Sequence, residues 1–158
     1  MNKTRFLMIL GCCIIALAAQ AQGQRRKAGL WEVTSQMSMS GGPQNMPQMP
    51  PRTTQVCVTQ AMIDKYGGPY SNPPNSQCQM TNLSVTPTGM SANLTCTGRG
   101  TTTGTVQTTF VDANTTKTTV QMSIAMGPNT MNMTMMSTAT YKGPDCGSVQ
   151  PMAMPPSK

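Results

Sequence analysis

The sequence predicts an all-β fold, an antiparallel meander of about seven strands that closes into a barrel or half-barrel and carries disulfides, with a two-layer β-sandwich as the alternative. Three observations lead to this prediction. Apolar residues recur at every second position through much of the chain, which is typical of half-buried strands. Short turn sequences separate these segments. Four cysteines beyond the N-terminal apolar segment form an even set, as in small exported domains.

The predicted strands follow one another with short connections. Their bounds are 28–39, 52–58, 78–86, 90–98, 104–111, 116–126 and 131–142. In the first half of the chain the alternating apolar residues are Trp31, Val33, Met37 and Met39, then Val56 and Val58, then Met90, Ala92, Leu94 and Cys96. In the second half they are Val106 and Phe110, then Val120, Met122, Ile124 and Met126, then Met131, Met133, Met135, Ala139 and Tyr141. Turn sequences at 87–89, 112–114 and 127–129 predict consecutive hairpins.

One short helix is predicted between the second and third strands, at residues 60–66. Thr59 is suited to the N-cap position, and Gly67 directly follows the end of the helix. The proline-rich segments 41–51 and 67–76 are predicted loops.

The N terminus has the pattern of a secretory signal peptide. Lys3 and Arg5 precede an apolar stretch that is too short to span a bilayer, and residues 19–21 (Ala-Gln-Ala) supply a small-residue cleavage site. We therefore expect residues 1–21 to be removed on export, with Gln22 as the first mature residue. The predicted location is the periplasm or the extracellular space, with no integral membrane segment after cleavage.

Charge is concentrated at the start of the mature chain. The full chain has 11 Lys and Arg against four Asp and Glu, so removal of Lys3 and Arg5 changes the net charge from +7 to +5. We predict a solvated basic tail at 22–27, a single β domain at 28–146 and a disordered tail rich in proline and methionine at 147–158. The domain has no basic stripe and few aromatic residues, so nucleic acid is not an expected partner.

Four cysteines remain after the predicted cleavage, and they allow three disulfide pairings. A hairpin that folds about Pro87 puts Cys78 directly opposite Cys96, near the distance that a disulfide needs. This pairing leaves Cys57 with Cys146, a bridge that we expect to close the two ends of the sheet. A zinc site is the alternative, but the chain has no CxxC spacing and no histidine.

Acid–base catalysis has few candidate residues in this chain. Histidine is absent, and the acidic residues are Glu32, Asp64, Asp112 and Asp145. Without an imidazole, the serines and threonines have no usual general base to activate them. Asp112 has the position of a turn residue. The sequence therefore predicts a non-enzymatic protein that needs no cofactor.

The sequence is unusually rich in methionine, with 17 residues in the whole chain. Its flexible side chain fills irregular interiors and adapts to apolar ligands. We therefore expect either a filled core or a pocket for a small apolar ligand. The candidate lining residues are Trp31, Phe110, Met122, Met126 and Met133.

Two other functions stay open at this point. Thioethers are soft ligands that select Cu(I), and the methionines that a core does not need are Met46, Met49, Met152 and Met154. These four residues predict an exposed soft-metal site. A structural, envelope-associated protein with a filled core is the third hypothesis, and the oligomeric state is not predicted.

Several sequence features resemble those of one bacterial family. They are Gly-Leu-Trp-Glu at 29–32, Thr-Gln-Val-Cys-Val-Thr at 54–59 after a loop rich in methionine and proline, Cys78, Cys96, Thr-Gly-Thr-Val at 103–106, and Gly-Pro-Asp-Cys at 143–146. Together they resemble the exported proteins catalogued as domain of unknown function 3617, over about residues 28–146. The resemblance implies a secreted β-protein and implies no activity and no functional residues.

Overall fold

The computed structural model describes residues 26–41, 49–70, 77–97, 102–126 and 129–152. It contains seven strands and one helix in these ranges. The strands are β1 (Gly29–Ser40), β2 (Arg52–Val58), β3 (Gln77–Val85), β4 (Gly89–Thr97), β5 (Thr102–Phe110), β6 (Thr115–Met126) and β7 (Asn129–Gly143), and the helix is α1 (Gln60–Tyr66). The predicted signal peptide lies outside the described residues.

Both ends of α1 are capped as the sequence predicts. The hydroxyl of Thr59 accepts a hydrogen bond from the backbone N–H of Met62 at 3.3 Å. Gly67 adopts the left-handed conformation, with φ of 75°, and its N–H donates to the carbonyl of Ile63 at 2.7 Å. In the described part of the chain, no helix is long and apolar enough to cross a bilayer.

The strands form one antiparallel sheet in the order β2-β1-β7-β6-β5-β4-β3. A closed seven-stranded meander would contain every one of these pairings and, in addition, a pairing of β2 with β3. The described strands lack that last pairing, so the sheet is open between β2 and β3. The predicted all-β antiparallel meander is confirmed, and the open sheet is consistent with a half-barrel or a sandwich.

Contacts of α1 show that the sheet curls. Flat, the seven strands would be about 29 Å wide, because neighbouring strands lie about 4.8 Å apart. A seven-residue helix is about 10 Å long. Yet α1 starts beside Val58 on β2, and a Cβ atom on Gly67 at its other end would lie 3.3 Å from Val85 on β3. The two edges of the sheet therefore approach each other beneath the helix.

We call the face that α1 covers the inner face, and the opposite face the outer face. The register places inner-face residues in rows across the strands. Starting from the helix, the first three rows are Val56, Trp31 and Tyr141, then Thr54, Val33, Ala139, Thr116 and Phe110, then Arg52, Ser35, Ser137, Thr118, Thr108 and Met90. The next two are Met37, Met135, Val120, Val106 and Ala92, then Met39, Met133, Met122, Gly104, Leu94 and Met80.

The buried core consists of two clusters on this face. The first joins β1, β2 and β7 to the helix and contains Trp31, Val58, Met62 and Ala139. The second lies on the strands β4 to β6 and contains Met90, Ala92, Leu94, Val106, Phe110 and Val120. Trp31 has no exposed surface, and its indole N–H donates to the carbonyl of Lys27 at 2.9 Å. Trp31 is thus the largest side chain that the fold buries completely.

The β3–β4 hairpin joins Cys78 to Cys96, the pairing that hairpin geometry predicts. Its turn is shifted from the predicted one, because Val85 pairs with Met90. A regular hairpin in that register would place Cys78 opposite Thr97. The register shifts by one residue between Thr81 and Ser84, and this bulge returns Cys78 to its position opposite Cys96.

The second disulfide joins Cys57 to Cys146, but it does not close the ends of the sheet as we expected. Strand β1 lies between β2, which carries Cys57, and β7, which precedes Cys146. Both cysteines therefore lie on the same side of the opening between β2 and β3. The bridge instead fastens the segment after β7 to the edge strand β2.

Residues 147–152 are part of this attachment, and the disordered tail predicted from residue 147 is wrong for them. Pro151 forms a parallel bridge with Cys57, and the N–H of Met152 donates to the carbonyl of Cys57 at 3.5 Å. Met152 packs against the cluster of Trp31. The disulfide at Cys146 holds this segment beside β2, so backbone and side-chain contacts can form there.

The prediction of a solvated tail at 22–27 is wrong for Arg26, which is half-buried, whereas Lys27 is exposed. The guanidinium carbon of Arg26 lies 3.4 Å from the ring centroid of Phe110. The ammonium of Lys27 lies 5.3 Å from the ring centroid of Tyr141. The two cations therefore pack against aromatic rings near the end of the sheet that α1 covers.

Replacing Gly67 with alanine is expected to lower the free energy of unfolding by about 1–3 kcal/mol, because its φ of 75° is strained for any residue with a Cβ. The new Cβ would also lie 2.5 Å from Cζ of Phe110. Gly68→Ala is the matched control, since its Cβ would meet its nearest neighbour, Thr116, at an ordinary 3.6 Å. Urea unfolding followed by circular dichroism measures both variants, and equal losses would contradict the assignment.

Candidate functional site

The inner face changes character along its strands. Near α1 it is buried, whereas farther from the helix Ala92, Leu94 and Val106 stay buried on β4 and β5 and half-buried methionines cover β1, β7 and β6. We call this second part the methionine end and define it by Met37, Met39, Met122, Met131, Met133 and Met135 on the adjacent strands β1, β7 and β6. The six side chains share one face because they alternate along their strands in a matched register.

Cross-strand pairs build the methionine end. Met37 lies directly opposite Met135, and Met39 directly opposite Met133, across β1 and β7. Met133 is also directly opposite Met122 on β6. Side chains in directly opposed positions have Cβ atoms about 4.5–5.5 Å apart. The thioethers of these residues are therefore neighbours, although β1 and β7 are about one hundred residues apart in the sequence.

All six side chains of the methionine end are half-buried, and none is fully buried. Met122 and Met135 contact the core cluster of β4 to β6. Met37, Met39 and Met133 are not among the residues packed against either cluster. The methionine end is thus an apolar surface that continues from the core and remains open to solvent.

A row of hydroxyl side chains separates the methionine end from the part of the face that α1 covers. Within it the hydroxyls of Thr108 and Thr118 share a hydrogen bond of 2.9 Å. Ser35 and Ser137 continue this row on β1 and β7. This shared bond pairs the two threonine hydroxyls with each other on the inner face.

The predicted ligand pocket does not form as one site. Met122 and Met133 lie side by side, as predicted, but Trp31 is fully buried beneath α1. Phe110 is buried in the other core cluster, under Arg26 and Gly67. Met126 belongs to β6, and its side chain lies outside the description. The aromatic residues therefore stabilise the fold, while the methionines form the accessible surface.

The predicted soft-metal residues are not brought together by the described structure. Met46 and Met154 lie outside the described residues. Met49 is 47% exposed at the start of the segment that leads into β2. Met152 packs against the Trp31 cluster, so the argument that the core does not need it is wrong.

Each of the four acidic side chains, all within the described ranges, has a local structural partner. Lys142 Nζ lies 2.7 Å from Glu32 Oε1, Gln60 Nε2 donates to Asp64 at 2.8 Å, the N–H of Asn114 donates to Asp112 at 2.7 Å, and the N–H of Gly147 donates to Asp145 at 2.8 Å. Asp112 is thus the turn residue that the sequence predicts. Across the described ranges, no group of three or more His, Cys, Asp or Glu side chains is placed to hold a metal ion.

The shifted pKa values belong to the neighbourhood of α1. Burial, and then the neighbouring Tyr66, raise the pKa of the Tyr70 hydroxyl, whose ring centroid lies 4.8 Å from that of Tyr66. Burial lowers the pKa of the Arg26 guanidinium. These groups stand apart from the methionine end, whose thioethers do not titrate.

Polar residues dominate the outer face. A shallow depression of about 370 Å³ lies there, and its lining includes Thr34, Gln36, Lys117, Thr119 and Thr138. The depression is on the side of the sheet opposite the methionine end. It therefore does not correspond to the predicted methionine-lined pocket.

The sequence pattern identifies the methionines that share a face of each strand, but not their pairing across strands. Alternation showed that Met131, Met133 and Met135 share a face, and that Met37 and Met39 do so on another strand. The matched spacing of two residues in both groups was the available signal. It could not show which methionine of β1 would face which methionine of β7.

Comparison with known proteins identifies one family. The model of the family described as "Protein of unknown function (DUF3617)" matches residues 26–146. The match contains all seven strands, α1 and both disulfides, and it begins at the arginine that packs on Phe110. No curated protein and no solved structure matches the chain.

Proposed function

The chain belongs to the DUF3617 family of proteins of unknown function, and we propose that it is an exported, non-enzymatic β-protein that binds an apolar ligand at the methionine end. One observation carries the proposal. The inner face of the curled sheet leaves a group of adjacent methionines half-exposed instead of covering them with α1. An exposed apolar surface of this kind is typical of ligand-binding grooves.

Methionine suits a ligand whose shape varies. Its unbranched thioether side chain has three rotatable bonds and can repack against different apolar molecules. The paired residues Met37/Met135 and Met39/Met133 run along β1 and β7 and form a strip parallel to the strands. A flexible hydrocarbon chain is the apolar molecule that matches an adaptable strip.

Charge on the inner face favours an acidic head group on that ligand. Arg52, opposite Ser35 on the edge strand β2, is the only charged residue that the register places on this face in the described strands. The chain without the predicted leader is also basic, with a net charge of +5. A fatty acid, with an acyl chain for the methionines and a carboxylate near Arg52, is the ligand class that combines these features.

Two further observations support an exported, non-enzymatic role. The disulfides Cys57–Cys146 and Cys78–Cys96 require a compartment that is not reducing. The leader pattern at residues 1–21, which lies outside the described structure, supports a periplasmic or extracellular location. The carboxylates are engaged in local structural contacts, and the chain has no histidine, so acid–base chemistry has no evident group to use.

Binding of a polyene fatty acid whose fluorescence rises in an apolar site tests this proposal. The chain, secreted with its own leader and purified without reductant, should bind the probe. The double variant Met37→Gln/Met133→Gln should weaken binding by about 30-fold, because each substitution removes roughly 1 kcal/mol of apolar contact. Glutamine is similar to methionine in length, so the change is chiefly in polarity.

Met136→Gln is the matched control. Met136 lies on the same strand as Met133 but points to the outer face and is 53% exposed. The control should bind the probe as the unmodified protein does, and the methyl ester of the probe should bind more weakly than the free acid. Equal affinities of M136Q and the double variant, with melting temperatures unchanged, would exclude the methionine end as the binding site.

A further inference from the structure

We propose that Met39, Met122 and Met133 form a binding site for a soft monovalent cation, Cu(I) or its analogue Ag(I). The proposal rests on the register and does not depend on the binding of an apolar ligand. Met133 is directly opposite Met39 on one side and Met122 on the other. Three thioether residues therefore occupy one row on the adjacent strands β1, β7 and β6.

The spacing of this row suits shared coordination of one ion. Neighbouring Cβ atoms in such a row are about 4.5–5.5 Å apart. Sulfur ligands bind zinc at about 2.3 Å, so sulfurs at similar distances around a three-coordinate ion are about 4 Å from one another. Curling of the sheet tilts the outer members of an inner-face row toward the central one. Met39 and Met122 therefore flank Met133 on the concave face of the sheet.

The chemistry of the row selects the metal. Thioethers are neutral, soft ligands that favour Cu(I) over zinc, magnesium or calcium. Across the described ranges, no carboxylate or cysteine-containing group large enough for a hard or borderline ion is present. The cysteines of the described ranges are paired in the two disulfides, Cys57–Cys146 and Cys78–Cys96, so none supplies a thiolate ligand. A site built only of methionine thus has little affinity for the commoner divalent ions.

Accessibility distinguishes Met39 and Met133 from core methionines, whereas Met122 contacts the core cluster of β4 to β6. Met62 and Met90 are buried and packed among other apolar side chains. Met39 and Met133 are half-buried and are not among the residues packed against either core cluster. Their side chains can turn toward an ion without opening the core. Cγ of Met122 lies toward Gly104, the next residue in the same row, 3.0 Å from the position that a Cβ would take there, so Met122 turns toward Met133 when it binds the ion.

Titration with silver nitrate in chloride-free buffer tests the site without a redox step. Native mass spectrometry should show one Ag(I) bound to the secreted, oxidised protein. In NMR spectra of protein labelled with ¹³C at the methionine methyl groups, the signals of Met39, Met122 and Met133 should shift together as Ag(I) is added. The triple variant Met39→Leu/Met122→Leu/Met133→Leu should lose Ag(I) binding. Met133→Leu alone should weaken Ag(I) binding by a larger factor than the loss of a residue that only orients a metal ligand, which costs about 10–100-fold.

Leucine separates this proposal from the binding of an apolar ligand. The triple leucine variant keeps the apolar surface, so it should still bind the fatty-acid probe while losing Ag(I). Met136→Leu, on the opposite face of β7, is the matched control and should bind Ag(I) unchanged. Two results would overturn the proposal: retention of Ag(I) by the folded triple variant, or loss of Ag(I) in the variant Met46→Leu/Met49→Leu/Met152→Leu/Met154→Leu.

Discussion

Replacing Trp31 with alanine is expected to lower the free energy of unfolding by about 3–5 kcal/mol, the usual cost of removing a buried tryptophan. Trp31 has no exposed surface and packs edge-on against Tyr141, with ring centroids 5.6 Å apart. Its indole N–H also donates a hydrogen bond to the backbone carbonyl of Lys27. In a domain whose core consists of two small clusters, this loss is a large part of the total stability.

Urea unfolding monitored by far-ultraviolet circular dichroism measures this effect, because the variant has no tryptophan for fluorescence. Met136→Ala provides the comparison, since an exposed side chain on the outer face should change stability by less than about 0.5 kcal/mol. The stability loss of Trp31→Phe should lie between the losses of Trp31→Ala and Met136→Ala, because phenylalanine keeps a ring in the cluster but cannot donate the hydrogen bond. A loss below about 1 kcal/mol for W31A would show that the cluster reorganises around the missing ring.

Removing the disulfide between Cys57 and Cys146 should cost more than removing the one between Cys78 and Cys96. The first links residues 89 apart in the sequence and the second links residues 18 apart. In the chain-entropy model, the long link stabilises the folded state by about 4–5 kcal/mol and the short one by about 3 kcal/mol. The long link additionally keeps residues 147–152 against β2.

Two double-alanine variants separate the contributions of the bridges, because each keeps the other disulfide intact. C57A/C146A should melt at a lower temperature than C78A/C96A and should expose the segment after β7 to limited proteolysis. Proteolysis of C78A/C96A should leave that segment protected. A greater loss of stability in C78A/C96A would contradict the loop-length argument. It would assign the main role of the short bridge to holding the register of the β3–β4 hairpin.

Local patterns in the sequence determined the elements of this protein. Alternation at a period of two predicted each of the seven strands to within about two residues of its ends. Thr59 and Gly67 predicted both ends of α1 because capping uses side chains and backbone groups within one turn. The Cys78–Cys96 pairing could be predicted for a similar reason, because a short turn connects its two strands.

Contacts between distant segments were decided by the tertiary structure. The sequence did not show that β2 and β3 remain unpaired, that the aromatic residues are buried beneath α1, or that residues 26, 27 and 147–152 pack against the domain. Each depends on which surfaces meet once the sheet has curled. Two core clusters formed where one lined pocket was expected, because α1 covers only one end of the inner face.

The pairing of methionines across β1 and β7 shows the physical reason most directly. Sliding β1 by two residues along β7 would keep every methionine on the inner face, so the alternation pattern is the same in either register. The choice between such registers depends on the summed packing of Trp31 on Tyr141, of Val33 beside Ala139, and of the rows beyond them. The sequence therefore determined which residues could form the site, whereas packing across the whole sheet decided which of them became neighbours.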